Sequence, residues 1–304
     1  MTPPPVKTFD AHATAALLDY PTLVQVLRET IVEYADAKIA SPERLVIPLQ
    51  DGGVMLSMPS SASDIAIHKL VNVCPANGKR QLPTIHGQVI ACDAHTGEML
   101  FVLDGPTVTG RRTAAVSALG ITCLHASAPQ EILIIGTGKQ AVNHVEAFAA
   151  LFPQARLLAK GSTPERTQHF VESLRAIAPN LRALDGDIPD SVDVVVTVTT
   201  SQTPVYTAPA RAGRLVVGVG AFTPAAAEVS KATVDSSFLV VDDPAGAKHE
   251  AGDLIQAGVD WANVNALAAA IKGDLKPVAP VFFKSVGCAA WDLAACRVAR
   301  AHAG

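Results

Sequence analysis

Leu17, Leu18, Leu23, Val24, Leu27, Ile31 and Tyr34 recur near helical spacing, so Thr14–Ala40 is expected to be helical. Pro21 falls in the first turn of a second helix, because an interior proline would break it, and Pro42 ends the segment. From Arg44 to Leu103 the pattern turns to short apolar runs. Leu45–Ile47, Val54–Met58, Ala66–Val73, Gln88–Asp93 and Leu100–Leu103 are strand candidates. Turn signals at Gly52-Gly53, Asn77-Gly78 and Thr96-Gly97 separate them, and Asp93–Glu98 reads as a hairpin loop. This block predicts an antiparallel sheet with at least one covering helix. Thr109–Ala126, rich in alanine, returns to helix and links this domain to the next.

Beyond Ala126 the chain alternates. Strands are expected at Ile132–Ile135, Arg156–Ala159, Val192–Val198, Leu215–Val219 and Phe238–Val241, with a further apolar stretch at Leu181–Leu184. Helices are expected over Lys139–Leu151 and Pro164–Ile177. Such alternation argues for a parallel, doubly wound sheet. A last helix over Ser285–Ala301 gathers Val286, Ala289, Ala290, Leu293, Ala294 and Val298 on one broad face. The fold class is therefore α/β: a Rossmann-type doubly wound parallel sheet plus a second, α+β domain.

The alternating half carries one pattern with chemical meaning. Ile132–Ile135 runs into Gly136-Thr137-Gly138, and Lys139, Gln140 and Ala141 open a helix. In a dinucleotide fingerprint the first glycine allows the tight turn, the second lets a pyrophosphate approach the backbone, and the small residue lets the helix pack closely. Phosphates would sit on the helix N-terminal amides. Glycines also mark ordinary turns, but strand and helix stand where a nucleotide site needs them. An NAD-preferring site has an acid at the tip of the next strand. Here that tip reads Leu157-Leu158-Ala159-Lys160-Gly161-Ser162-Thr163, then Arg166, with no acid. Lys160 and Arg166 offer cations, and Ser162 and Thr163 hydroxyls, for a 2′-phosphate. NADPH is expected over NADH, with NADH possible. Ser162 or Thr163 would equally serve as the cap of the helix starting at Pro164.

Composition narrows the class. Of 304 residues, 49% are apolar and 17% charged, with a net charge of −4, which fits a globular protein and offers no basic footprint for nucleic acid. Cys74, Cys92, Cys123, Cys288 and Cys296 are scattered and show no CxxC spacing, so reduced thiols are expected. The start, MTPPPVKTFDAHAT, lacks the pattern of a secretory leader, and no apolar run reaches membrane-spanning length. A cytoplasmic protein without membrane or nucleic-acid partners is expected. No zinc-ligand spacing and no G-x-S-x-G elbow occur, so no metal is expected.

In the first domain, strict alternation would put Lys69 on the same face as Ile65, Ile67 and Val71. A lysine facing a core costs desolvation unless it is paired or used. The other reading is an outward lysine on an edge strand. His68 and His86 either flank a site or are structural.

Several segments together resemble the ornithine cyclodeaminase/mu-crystallin family. They are Pro42-Glu43-Arg44, Met58-Pro59, His68-Lys69-Leu70-Val71, Leu82-Pro83-Thr84, Leu103-Asp104-Gly105, Thr109-Gly110-Arg111-Arg112-Thr113-Ala114-Ala115, Gly136–Ala141 and Phe283-Lys284-Ser285-Val286-Gly287. The resemblance implies a homodimer and a last helix that returns to the first domain. The domains are then 1–115 with 286–304, for substrate and dimerisation, and 116–285, for the dinucleotide. It also implies that Arg44 and Arg112 hold a substrate carboxylate, and that Lys69 orients it and is the catalytic acid. Thr84, Arg112, Thr113, Thr199 and Ser285 match positions close to the cofactor.

Leu103–Arg112 looks most like reductases of cyclic ketimines, Δ1-pyrroline-2-carboxylate and Δ1-piperideine-2-carboxylate. The expected reaction moves a hydride to C2 of such a small cyclic imino acid, giving L-proline or L-pipecolate, with Lys69 or a water protonating nitrogen. Cyclodeaminases carry an aspartate two residues before the proline of Gly218–Pro224. Phe222 stands there, and a phenyl ring can accept no proton, so cyclodeamination is disfavoured. An amino-acid dehydrogenase of the alanine dehydrogenase type and a non-catalytic NADPH-dependent binder of a small ligand are the rivals.

Overall fold

The computed structural model describes residues 5–303. The first four residues and Gly304, which the expected domain ranges and the leader argument include, lie outside the described residues. Two compact units are present: residues up to Arg112 together with those from Cys288 onward, and Thr113–Gly287.

The first unit opens with β1 (Lys7–Thr8), α1 (Ala11–Leu17) and α2 (Tyr20–Ala35). Asp10 caps α1 by accepting the Ala13 amide, and Asp19 caps α2 through the Thr22 amide, with Pro21 in its first turn. α2 stops at Ala35, short of the expected Ala40. The Lys38 amide reaches back to the Glu33 carbonyl, Ala37 takes φ 56°, and Ala40 pairs with Ser61. Then follow β2 (Leu45–Pro48), β3 (Val54–Ser61), β4 (Ile65–Val73), β5 (Ile85–Asp93) and β6 (Met99–Asp104). The sheet order is β1-β6-β5-β4-β3-β2, antiparallel throughout except for β1 on β6. At its β5–β6 turn the Asp93 amide meets the Glu98 carbonyl, and Gly97 takes φ 74°.

α3 (Gly105–Leu124) begins earlier than the expected Thr109, because the Asp104 carboxylate accepts the Thr107 amide at 2.8 Å and Pro106 fits a first turn. It crosses the boundary between the units at Arg112–Thr113.

The second unit contains β7 (Glu131–Ile135), α4 (Lys139–Leu151), β8 (Arg156–Lys160), α5 (Pro164–Ser173), β9 (Leu181–Ala183), β10 (Val194–Thr197) and β11 (Leu215–Gly218). It continues through α6 (Lys231–Asp235), β12 (Phe238–Val241), α7 (Pro244–Glu250), α8 (Gly252–Ala257), β13 (Asn265–Ala266), α9 (Leu267–Lys272) and β14 (Val281–Lys284). All strands are parallel, in the order β13-β12-β14-β11-β10-β7-β8-β9. The order reverses between β7 and β10, the switch point at whose carboxyl ends open α/β sheets bind ligands. β7, β10, β11 and β14 are buried at every position, as strands covered on both faces must be.

α10 (Ala289–His302) returns to the first unit, against α2, β4 and β3. It starts at Ala289 and not at Ser285. The Asp242 carboxylate takes the Ser285 hydroxyl and the Val286 and Gly287 amides at 2.8–3.0 Å, and Gly287 sits at φ 73°. α5 likewise ends at Ser173, before the expected Ile177, in a turn joining the Ile177 amide to the Leu174 carbonyl.

Candidate active site

In the second unit the chain leaves β7 through Gly136 at φ 128°. A Cβ there would stand 2.7 Å from the Val198 carbonyl oxygen, so only glycine fits. Gly138 is the N-cap of α4 and brings no side chain to its amides; a Cβ added to it would meet nothing within 4 Å. Ala141 is fully buried. Thr137 is half-buried beside Gly161, and Lys139 is exposed. The buried Gln140 Oε1 has no hydrogen-bond partner among the described residues. A helix N-terminus with no side-chain cap and open space at Gly138 fit a dinucleotide pyrophosphate.

Behind this turn, His144 Nδ1 donates to the Gln140 carbonyl and its Nε2 accepts from the Ser117 hydroxyl at 2.9 Å. Burial pushes His144 down to about 4, so it is neutral.

At the β8 tip the Lys160 ammonium donates to the Gly186 carbonyl. Thr163 is the α5 cap, accepting the Arg166 amide at 3.3 Å, while Arg166 Nη1 lies 3.4 Å from Ser162 Oγ. The capping alternative thus holds for Thr163, and Ser162 is left to pair with Arg166.

Three buried carboxylates that the sequence reading did not single out shape the carboxyl end of this sheet. Glu228 accepts the Thr197 hydroxyl and the Thr199, Gly220 and Ala221 amides at 2.5–3.1 Å. Asp253 in turn accepts the Glu228 and Val229 amides, and its Oδ2 lies 2.8 Å from Lys284 Nζ, close enough for an ion pair though not aligned for a hydrogen bond. Asp242 is the third, holding Ser285. Thr199 and Ser285 are therefore set in turns by these acids, with the Thr199 hydroxyl accepting the Ser201 amide at 3.2 Å. Phe222, in the loop after β11, is 44% exposed.

The first unit holds the charged cluster. Along β4, Ile65, Ile67, Lys69 and Val71 are buried while His68 and Leu70 are exposed. β4 lies inside the sheet, so the outward edge-strand reading of Lys69 fails. Lys69 Nζ sits 3.0 and 3.1 Å from the two oxygens of Asp292, and Arg112 Nε lies 3.2 Å from Oδ1. All three are at least nine-tenths buried, Asp292 completely. Burial lowers the Lys69 ammonium to about 8; Asp292 raises it, while Arg112 and the half-buried Arg44 lower it. Asp292 lies in the first turn of α10, whose positive end suits an anion. Next to it, burial and the Asp292 charge push the Cys296 thiol upward, so it stays neutral.

Among the expected site residues of this unit, Lys69, Arg112 and Arg44 are thus brought together. Thr84 is exposed and receives the Cys74 amide through its carbonyl; His68 is bonded to Ser57 Oγ at 2.8 Å on the opposite face, and His86 is exposed. Thr113 falls in the other unit, its carbonyl oxygen 3.2 Å from Ser117 Oγ. Asp292 is the participant that the sequence reading missed. Chemically, two cations tied to one buried carboxylate keep a net positive charge and can grip an anion, and an ammonium near 8 can pass a proton at neutral pH. Among the described residues no three His, Cys, Asp or Glu side chains are grouped as metal ligands, and no helix is long and apolar enough to cross a membrane.

The chain is 67% identical over 293 residues to Delta(1)-pyrroline-2-carboxylate reductase 1 of Burkholderia multivorans, covering 96% of this chain and 94% of that protein. It is 65% identical over 297 residues to Delta(1)-pyrroline-2-carboxylate/Delta(1)-piperideine-2-carboxylate reductase of Azospirillum brasilense, covering 97% and 96%. The Thermococcus litoralis Delta(1)-pyrroline-2-carboxylate reductase, solved with NADH and L-proline, superposes with a TM-score of 0.88 at 25% identity, covering 98% and 97%. The profile of the ornithine cyclodeaminase/mu-crystallin family matches residues 8–303, and the chain belongs to that family.

Proposed function

We propose that this protein reduces the C=N bond of a cyclic ketimine 2-carboxylate with a nicotinamide dinucleotide, converting Δ1-pyrroline-2-carboxylate to L-proline and Δ1-piperideine-2-carboxylate to L-pipecolate. The observation that carries the reading is the buried Lys69–Asp292–Arg112 cluster, in a chain this similar to reductases of those imines. Arg112 spends Nε on Asp292, which leaves its Nη1/Nη2 fork for the substrate carboxylate, with Arg44 as second cation. Lys69, protonated below about 8, orients the same carboxylate and gives a proton to the ring nitrogen. A bound reduced nicotinamide supplies the hydride that C2 requires. Phe222 offers no carboxylate for the proton handling of cyclodeamination, whereas an already cyclic imine does not need it.

Gly136, Thr137, Gly138, Lys139, Gln140 and Ala141 would hold the pyrophosphate, with Thr113, Thr199 and Ser285 of the same unit beside the cofactor. Lys160, Ser162, Thr163 and Arg166, with no carboxylate on their strand tip, favour NADPH over NADH. A homodimer is supported by β2, an edge strand whose Leu45, Val46 and Ile47 are 59, 52 and 38% exposed. A cytoplasmic setting accords with five cysteines that form no disulfide.

The test is consumption of NADPH or NADH with each cyclic imine, beside pyruvate plus ammonium. Turnover of the imines, faster with NADPH, is the expected result. Turnover of pyruvate alone would make the protein an amino-acid dehydrogenase, and NADPH binding without any turnover would make it a ligand binder.

A further inference from the structure

We infer that Asp292 is a positioning residue for this reduction: one carboxylate, carried on the last helix, holds Lys69 and Arg112 in fixed relation and supplies the countercharge that keeps both ready for an anionic substrate. The inference rests on the functional reading above and deepens it by naming what organises the substrate cations.

Asp292 is completely buried, both its oxygens lie on Lys69 Nζ at 3.0 and 3.1 Å, and Oδ1 also accepts from Arg112 Nε at 3.2 Å. A carboxylate so placed is shut off from water and depends on Lys69, Arg112 and the positive end of α10 for compensation. It engages Arg112 through Nε, along the side of the guanidinium. The end-on fork that matches a second, planar carboxylate is thereby left to the substrate.

Charge tells the same story. Facing Lys69 are Asp292 and Cys296 on α10, Arg112 on α3 and Arg44 ahead of β2. The Cys296 thiol is neutral, and Arg44 and Arg112 both work against a charged lysine. Asp292 is the anion that sustains the ammonium. With one carboxylate among the cations the cluster keeps net positive charge for a monocarboxylate. A second acid would weaken it, and none would leave the cations to repel one another.

The test compares wild type, Asp292→Asn and Asp292→Glu in two measurements. In the first, the Lys69 side-chain nitrogen is titrated by NMR in protein labelled with 15N-lysine, the signal assigned by its loss in Lys69→Met. In the second, kcat/KM for both cyclic imines is followed against pH. In Asp292→Asn the Lys69 titration and the alkaline limb of kcat/KM should both move down by about one pH unit or more, since one unit is about a tenfold change in the protonation equilibrium. The substitution should also lower kcat/KM at neutral pH by about tenfold or more, through KM as well as kcat. Asp292→Glu should return the titration towards wild type, and circular dichroism checks that each variant is folded. A folded Asp292→Asn protein whose Lys69 titrates as in wild type overturns the inference, whatever its activity. If the titration shifts while wild type reduces no cyclic imine, the positioning role stands and the functional reading falls.

Discussion

Lys69 is held between a burial penalty and an anion, and its environment leaves it near 8. Below that pH it is charged and can give a proton to a ring nitrogen. The kcat/KM of imine reduction should therefore fall as pH rises through about 8, and oxidation of L-proline should rise over the same range, because the reverse step needs neutral Lys69. A pH profile of both directions on one enzyme sample checks this. Lys69→Ala and Arg112→Ala should each lower kcat/KM by roughly 100-fold or more while the protein remains folded. Unchanged activity in both would remove these residues from the site. The lysine was legible because a strictly alternating strand places every second residue on the core face, and a lysine on that face needs a reason. Its partner was not legible. Asp292 stands 223 residues away in the sequence, on a helix whose period marks it only as one polar position among apolar ones. No local rule pairs two such residues.

At the scale of elements, the turn from β7 into α4 was read correctly because strand, glycines and helix are consecutive and each residue has a steric duty. Gly136→Ala should be the most damaging single change there. It combines a φ of 128° with a Cβ 2.7 Å from a carbonyl oxygen, and should weaken dinucleotide binding by about tenfold or more, measured by cofactor fluorescence titration. Thr163→Ala, by contrast, should cost about 1 kcal/mol of stability through the lost α5 cap, read from urea midpoints. Elements set by distant partners were harder to see. β14 is a run of four residues behind two prolines, ending on a lysine, and only its place between β11 and β12 makes it a strand. The late start of α10 depends on Asp242, 43 residues before Ser285, so the helical period alone placed it too early.

For the whole molecule, the sign of acid sensitivity follows from His144. Its pKa is depressed from 6.5 to about 4 by burial, so the unfolded chain takes up the proton first. The associated stability is fully present above pH 6.5 and is lost as pH falls towards 4, on the order of 3 kcal/mol in all. Urea midpoints should drop between pH 7 and pH 5, and His144→Gln, which cannot titrate, should flatten that slope. The α/β class and the alternating half were legible because helical and strand periods differ.

The return of α10 to the first unit also bears on how the protein is made. Lys69 and Arg112 precede the dinucleotide unit in the sequence, while the carboxylate they share among the described residues follows it, on α10. During synthesis the strands of that unit can emerge and pair, and the dinucleotide unit can be finished, before Lys69 has a countercharge. The lysine has no reason to enter a dry interior until the final helix arrives. A molecule cut short before Cys288 would therefore keep the residues of the dinucleotide unit and lose the countercharge of Lys69 and Arg112.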